Sequence, residues 1–293
     1  MVDVLYPDGL KSNIHKMKNT AQCYRYLLLC LLLLSGLPAK AQFDQEKFDK
    51  ESFLIGTLSE YMGYQRTFTN KDDFYYQRVD IMSQQELKHV IFIDSMFHLS
   101  YADITIVNNG APQGIKIYSP SLTKKIDEYY NYTPTGIRTT PGDTVYGGNI
   151  IKERFDTEKQ KNSFLLGAAL RYGGDQSRAN QIIQSLKNDK LLAGDEDYEN
   201  IAYAFSMPNA PTKAQICIDF LKDLGCGDVE FVSRNTIPAG NFVIFTPNSA
   251  MLEILNEAER LRQHIEKIDT NHIEFTADGT KFIWQEPAVP SLR

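Results

Sequence analysis

The chain has 293 residues, with 31 Lys plus Arg against 37 Asp plus Glu and a formal charge of −6. Its 42% hydrophobic and 11% aromatic residues make a globular composition, neither collagenous nor disordered nor membrane-spanning throughout. A mildly acidic chain without a basic block is unsuited to sequence-independent nucleic-acid binding, and the length allows one large domain or two smaller ones.

The first segment reads as an address. Residues 27–34 are Leu-Leu-Leu-Cys-Leu-Leu-Leu-Leu, preceded by Lys16, Lys18 and Arg25 and followed by Ser35-Gly36-Leu37-Pro38-Ala39-Lys40-Ala41. That order of charged, apolar and small residues is a secretory signal, with Ala39-x-Ala41 as the cleavage site. The apolar run Tyr26–Leu37 is 12 residues, too short to cross hydrocarbon about 30 Å thick. Asp3 and Asp8 precede Met17-Lys18, so Met17 is the expected initiator within a 1–41 signal. Neither Cys23 nor Cys30 follows a small residue, which argues against lipidation. The mature chain then begins near Gln42. Removing Lys11, Lys16, Lys18, Arg25, Lys40, Asp3 and Asp8 leaves 26 basic and 35 acidic residues, or −9. A short signal ending Ala-Gln resembles those of Gram-negative envelope proteins. The expectation is a periplasmic or secreted protein without membrane insertion after cleavage.

In chain order, a helix is expected over 46–62, stopped by Gly63, then a strand over 74–80. Ser83-Gln-Gln-Glu86 is a capping box opening a helix to 97. Asp103–Val107 alternates like a strand, Asn109-Gly110 turns the chain, and Gly114–Tyr118 returns. Pro120 opens a helix to 131, and a hairpin about Pro141-Gly142-Asp143 closes the unit. The same series then recurs: helix 157–172, strand 202–207, helix 212–224, strands 228–233 and 241–246, helix 249–268, and a hairpin at Asp278-Gly279. The polar stretch 175–200 reads as an inserted loop and 286–293 as a tail.

The recurrence extends to residues. Lys50–Gly63 and Lys161–Gly174 share 7 of 14 positions at an offset of 111. Ile91-Phe-Ile-Asp94 matches Ile216-Cys-Ile-Asp219, Asp103 matches Asp228, Pro112-Gln-Gly114 matches Pro238-Ala-Gly240, and Ile117-Tyr-Ser-Pro120 matches Ile244-Phe-Thr-Pro247. Offsets that only grow along the chain predict an internal duplication. The fold class read from this is α+β: two ferredoxin-like βαββαβ halves, 44–150 and 156–285, each with an extra leading helix.

Gly56 and Gly167 lie inside helices, where glycine is unfavourable by ~1 kcal/mol against Ala, so close backbone approach is expected there. Tyr61 and Tyr172 lie one turn before those helices stop and are the candidate ligand-facing pair, although an amphipathic core phenol with buried ring and wet hydroxyl is the favoured explanation. Asp94 and Asp219 fall off the apolar stripe of their helices, and Asp103 and Asp228 suit local turn bonding. Pro120 and Pro247 read as helix-start prolines.

The mature cysteines are Cys217 and Cys226. Their helical separation, and matches to Phe92 and Tyr101, predict core thiols rather than a bridge. His89, His98, His264 and His272 show no metal-ligand spacing beyond Glu86-x-x-His89, and Asp195-x-Asp197-x-Glu199 lacks the glycine and final glutamate of a calcium loop. No metal or cofactor is expected. Ser121-Leu-Thr-Lys124 with Tyr129-Tyr-Asn131 resembles the Ser-x-x-Lys and Tyr-x-Asn elements of penicillin-binding proteins, which implies Ser121 as nucleophile and Lys124 as its activator. No Lys-Thr-Gly follows, and the second half has Asn248-Ser-Ala-Met251 in that place. Gly-x-Gly-x-x-Gly, P-loop and Gly-x-Ser-x-Gly motifs are absent.

The reading that follows is an exported, non-catalytic binding or envelope-assembly protein with its ligand groove between two pseudo-symmetric halves. Its partner would be an envelope protein, a peptide or a glycan, not nucleic acid. The alternatives are a serine hydrolase using Ser121 and Lys124, and a structural subunit of a homo-oligomer.

Overall fold

An eight-residue helix is marginal by itself in water, so α1 (Lys50–Thr57) depends on its ends and on its packing. Asp49 caps its start, accepting the Ser52 N–H at 2.8 Å. The computed structural model describes residues 47–60, 64–69, 71, 75–108, 114–140, 142–192, 202–235, 240–271, 273–275 and 282–284, all within the unit Gln45–Arg293. After β1 (Tyr64–Arg66) and β2 (Arg78–Met82), the Ser83/Glu86 capping box opens a 3-10 turn that runs on into α2 (Leu87–Phe97). β3 (Thr105–Asn108) and β4 (Ile115–Tyr118) follow, and Pro120 takes the first turn of α3 (Pro120–Asp127) behind a Ser119 cap. β5 (Tyr130–Arg138) and β6 (Thr144–Ile150) form a hairpin that turns at Gly142, whose φ of +93° favours glycine.

The second stretch begins with α4 (Glu158–Tyr172), opened by a Thr157/Gln160 capping box, and α5 (Gln176–Asn188). Then come β7 (Tyr203–Pro208), α6 (Pro211–Asp223), β8 (Gly227–Arg234), β9 (Gly240–Thr246), α7 (Ser249–Glu266), β10 (Ile273–Phe275) and β11 (Phe282–Trp284). The chain is thus α+β with small antiparallel sheets: β1-β6-β5, β2-β4-β3, β7-β9-β8 and β10-β11.

The sheets β2-β4-β3 and β7-β9-β8 are each built strand–helix–strand–strand–helix, with the last strand central. A ferredoxin-like unit would add a fourth strand to each. Among the described residues both sheets stop at three. After α3 the chain instead pairs β5 with β6 and β6 with β1, and after α7 it pairs β10 with β11. A hairpin whose strands hydrogen-bond to each other and to β1 has no need of the β2 edge.

At the centre, α1 and α4 cross at their glycines. A Cβ on Gly56 would overlap the Phe164 carbonyl oxygen, and a Cβ on Gly167 would overlap that of Phe53. The next atoms met are Ala168 N at 3.0 Å and Thr57 N at 3.1 Å. The contact is reciprocal: what Gly56 does to Phe164 and Ala168, Gly167 does to Phe53 and Thr57. Phe53, Phe164, Ala168 and Leu165 are wholly buried around it.

Several expected bounds shift. The helix expected over 46–62 is Lys50–Thr57, because Leu58 is extended and the Ile55, Gly56 and Thr57 carbonyls bond side chains. The strand expected over 74–80 is Arg78–Met82, and the helix expected to reach 131 stops at Asp127, where β5 soon begins. Pro247 precedes the Asn248 cap and is not itself helical. Within the stretch read as an inserted loop, Gln176–Asn188 is helix: Ala179, Ile183 and Leu186, spaced four and three apart, bury against Val232, Phe242 and Ile244, and Asp175 caps the start, while 193–200 lies outside the described residues. The Asn109-Gly110 and Asp278-Gly279 turns, Gly63 and the tail lie outside the described residues.

Because the obstruction at the crossing is backbone, Gly167→Ala separates the helices. We expect a loss of about 3 kcal/mol or more, about 6–12 °C in melting temperature by circular dichroism. Gly227→Ala, where a Cβ meets Thr246 at 3.6 Å, serves as the control and shifts stability by less than about 1 kcal/mol.

Candidate functional site at the ends of the crossed helices

A helix leaves its last carbonyls without backbone partners. In α1 these are taken by side chains from the second half of the chain. Lys213, on α6, donates to Leu58 O at 2.6 Å, Ile55 O at 2.7 Å and Gly56 O at 3.2 Å. Arg171, near the end of α4, donates to Thr57 O at 2.7 Å, and the Tyr172 hydroxyl donates to Leu58 O at 2.5 Å. Cations suit the negative end of a helix dipole. The end of α4 is closed likewise: Arg262, on α7, donates to Ala169 O and to Leu170 O.

These cations face buried carboxylates. Arg171 donates to Asp80 at 2.5 Å and lies 3.3 Å from Glu86. Asp80 also accepts the Ser59 N–H at 3.0 Å. Lys213 lies 3.6 Å from Glu60, which accepts the Tyr130 hydroxyl at 2.7 Å. Burial pushes the Glu60 carboxyl above its ordinary range against the pull of Lys213, and pushes the Lys213 ammonium below its own range against the pull of Glu60. Beside them, burial and the Arg171 charge hold the His89 imidazole down at about 3, so it is neutral at pH 7.

The helix ends open on a cleft of about 270 Å³ lined by Ser59, Glu60 and Glu86 from the first half and Arg171, Tyr172, Arg178, Ser206 and Pro208 from the second. Glu60 is 1% exposed, and its Oε2 has no hydrogen-bond partner among the described residues. The lining therefore combines a carboxylate with one unpartnered, buried oxygen, hydroxyls from both halves, and the exposed residue Arg178.

Of the sequence candidates, Tyr172 lines this cleft, but its hydroxyl ties α4 to α1 through Leu58. Tyr61 lies outside the described residues, as do His272 and the Asp195–Glu199 stretch. Ser121 stands apart from the cleft: its hydroxyl donates to Asp103 at 2.5 Å, its N–H to the same carboxylate at 2.8 Å, and Ser119 joins them at 2.6 Å. Against the effect of burial, these bonds hold the Asp103 carboxyl below its ordinary range. Ser121 thus anchors the start of α3, and among the described residues no hydrogen bond joins it to Lys124, which is exposed. Asp94 pairs with His98 at 3.6 Å and Asp219 with Lys152 at 3.2 Å. Cys217 is a buried free thiol and Cys226 a partly buried one. Among the described residues no three His, Cys, Asp or Glu could share a metal ion, and no helix is long and apolar enough to cross a membrane.

Sequence reasoning missed Glu60, Lys213 and Arg171. A signal for Lys213 existed: it falls on the stripe Ile216, Cys217, Phe220 and Leu221, an apolar face where a lysine must find buried acceptors.

Neither a family model nor a curated protein sequence matches the chain. Among solved structures, it is similar to mesophilic variants of the homing endonuclease I-DmoI, with a TM-score of 0.40, 13% identity, and coverage of 73% of this chain and 97% of that one. Overlap at that level assigns neither fold nor activity.

Removing the Lys213 charge strands Glu60 and three carbonyls. Lys213→Met should lower the unfolding free energy in urea by about 3–5 kcal/mol, while Lys124→Met stays within about 0.5 kcal/mol. His89 supplies a pH signature. As pH falls, the unfolded chain takes up this proton near the ordinary imidazole value of 6.5, while the folded chain resists until about 3. The His89 contribution is thus complete above pH 6.5 and is lost as pH falls toward about 3. The urea midpoint should drop between about pH 7 and 5, and less steeply in His89→Leu; equal slopes would show that His89 carries no such term.

Proposed function

We propose that the protein is an exported, non-catalytic binding or envelope-assembly factor made of two related α+β halves, whose ligand site is the cleft between them. The observation that carries this reading is the composition of that cleft: both halves contribute walls, and Glu60, whose buried Oε2 has no hydrogen-bond partner among the described residues, is one of its lining residues. Buried polar groups normally have partners, and an exception in a concave site is where a ligand belongs.

Duplication is supported by matched physical detail. The glycine contacts are reciprocal at the offset of the sequence repeat. The two sheets share one strand order. The matched pairs Asp103/Ser119 and Asp228/Thr246 make the same bond, hydroxyl to carboxylate, at 2.6 and 3.1 Å. The binding reading is favoured over a hydrolase because the Ser121 hydroxyl is engaged by a carboxylate and Lys124 is not engaged with it.

Three measurements test the proposal. Expressed with its leader in a Gram-negative host, the protein should appear in the periplasm or medium with Gln42 as its amino terminus; retention of the leader in the cytoplasm would overturn export. Fluorophosphonate and penicillin probes should leave Ser121 unlabelled, and labelling abolished by Ser121→Ala would replace binding by hydrolysis. In a thermal-shift screen a true ligand at ~100-fold over its Kd should raise melting by about 5–10 °C. Ser206→Trp, which fills the cleft, should erase that rise; hits that persist in this variant would place binding elsewhere.

A further inference from the structure

We infer that the cleft binds a small zwitterion, a free amino acid or very short peptide, with its ammonium against Glu60 and its carboxylate against Arg178. The inference rests on the reading of this cleft as the ligand site and names the chemistry that fits it. Two of the four charged groups on its wall are already engaged. Arg171 bonds Asp80, Thr57 O and Ile81 O and faces Glu86, while Glu86 accepts from the Ser83 N–H at 2.8 Å and hydroxyl at 3.0 Å.

The other two each keep an unengaged end. Glu60 uses Oε1 for Tyr130 and Lys213, and its buried Oε2 has no partner among the described residues. Arg178 has only its backbone N–H engaged, by Asp175 at 2.9 Å, and its exposed guanidinium makes no hydrogen bond or ion pair among the described residues.

A lone carboxylate oxygen takes an N–H or ammonium donor, and a free guanidinium takes a carboxylate in a fork of two hydrogen bonds. A neutral sugar would leave Arg178 unanswered. An inorganic anion would answer Arg178 but bring no donor to Glu60 Oε2. A volume of about 270 Å³ falls just under the range of drug-sized sites and matches a small molecule. One molecule with an amine at one end and a carboxylate at the other satisfies both groups. The Ser59 and Ser206 hydroxyls remain on the walls for its peptide or side-chain polar atoms.

The test is titration calorimetry of the mature chain with the free L-amino acids and with dialanine. At least one should bind with a Kd below about 1 mM. Its N-acetyl and carboxamide analogues should bind about tenfold weaker or worse on the unaltered protein. Arg178→Ala, at an exposed position, should weaken the parent by a similar factor yet leave the carboxamide unchanged, and Glu60→Gln should weaken the parent but not the N-acetyl form. Blocked analogues binding as tightly as the parent would overturn the inference. Silence from every amino acid and dialanine up to about 10 mM would do the same. In that event monosaccharides, acetate and putrescine are titrated: binding of any of them that Ser206→Trp abolishes keeps the cleft as a ligand site while the zwitterion falls, and silence from all of them overturns both.

Discussion

The structure turns on a backbone contact between two helices. Helices α1 and α4 approach so closely at Gly56 and Gly167 that neither position has room for a methyl group. That proximity brings the end of α4 beside the end of α1, so Arg171 and Tyr172 can reach the Thr57 and Leu58 carbonyls. Lys213 completes the closure from α6. An eight-residue helix that would fray alone is held by side chains drawn from more than 100 positions away in sequence.

The same closure accounts for the charges. Burying Lys213 and Arg171 requires buried acceptors, and Glu60 and Asp80 supply them along with the helix carbonyls. Buried ion pairs are seldom stabilising relative to apolar packing of the same shape, because desolvation offsets most of their attraction. Their concentration at one place beside a cleft, with Glu60 Oε2 left over among the described residues, is what motivates the proposed ligand site. The polar network at β1 is different in kind. Arg66 donates to Asp127 and Tyr64, and the single Tyr64 hydroxyl hydrogen lies between the Arg78 and Val79 carbonyls, so the network fastens the β1-β6-β5 sheet to α3 and β2.

Much of the fold was legible in local patterns. Capping boxes at Ser83 and Thr157, the Ser119-Pro120 helix start and the turn at Gly142 all act through neighbours a few residues away. The glycine pair was legible because an unfavourable residue inside a helix needs a tertiary reason. The helix Gln176–Asn188 was hidden by its many polar residues, which mask a narrow apolar stripe of Ala179, Ile183 and Leu186. Strand pairing beyond the hairpins was not legible, since an alternating pattern gives a face but not a partner; hence the expected closing strands, which pair elsewhere. Of the site, Tyr172 was found from its place at a helix end. Glu60, Arg171 and Lys213 were missed because charged residues read as solvated until the tertiary contacts show what they meet.

Amide hydrogen exchange reads the helix crossing most directly. If the contact at Gly56 and Gly167 organises the structure, the amides of Leu54–Leu58 and of Leu165–Ala169 should exchange only through global opening. Both sets should then share one free energy, equal within about 0.5 kcal/mol to that of unfolding in urea. Exchange of either set through a lower-energy local opening, with the other still protected, would mean that the helices are not locked together and would contradict the account.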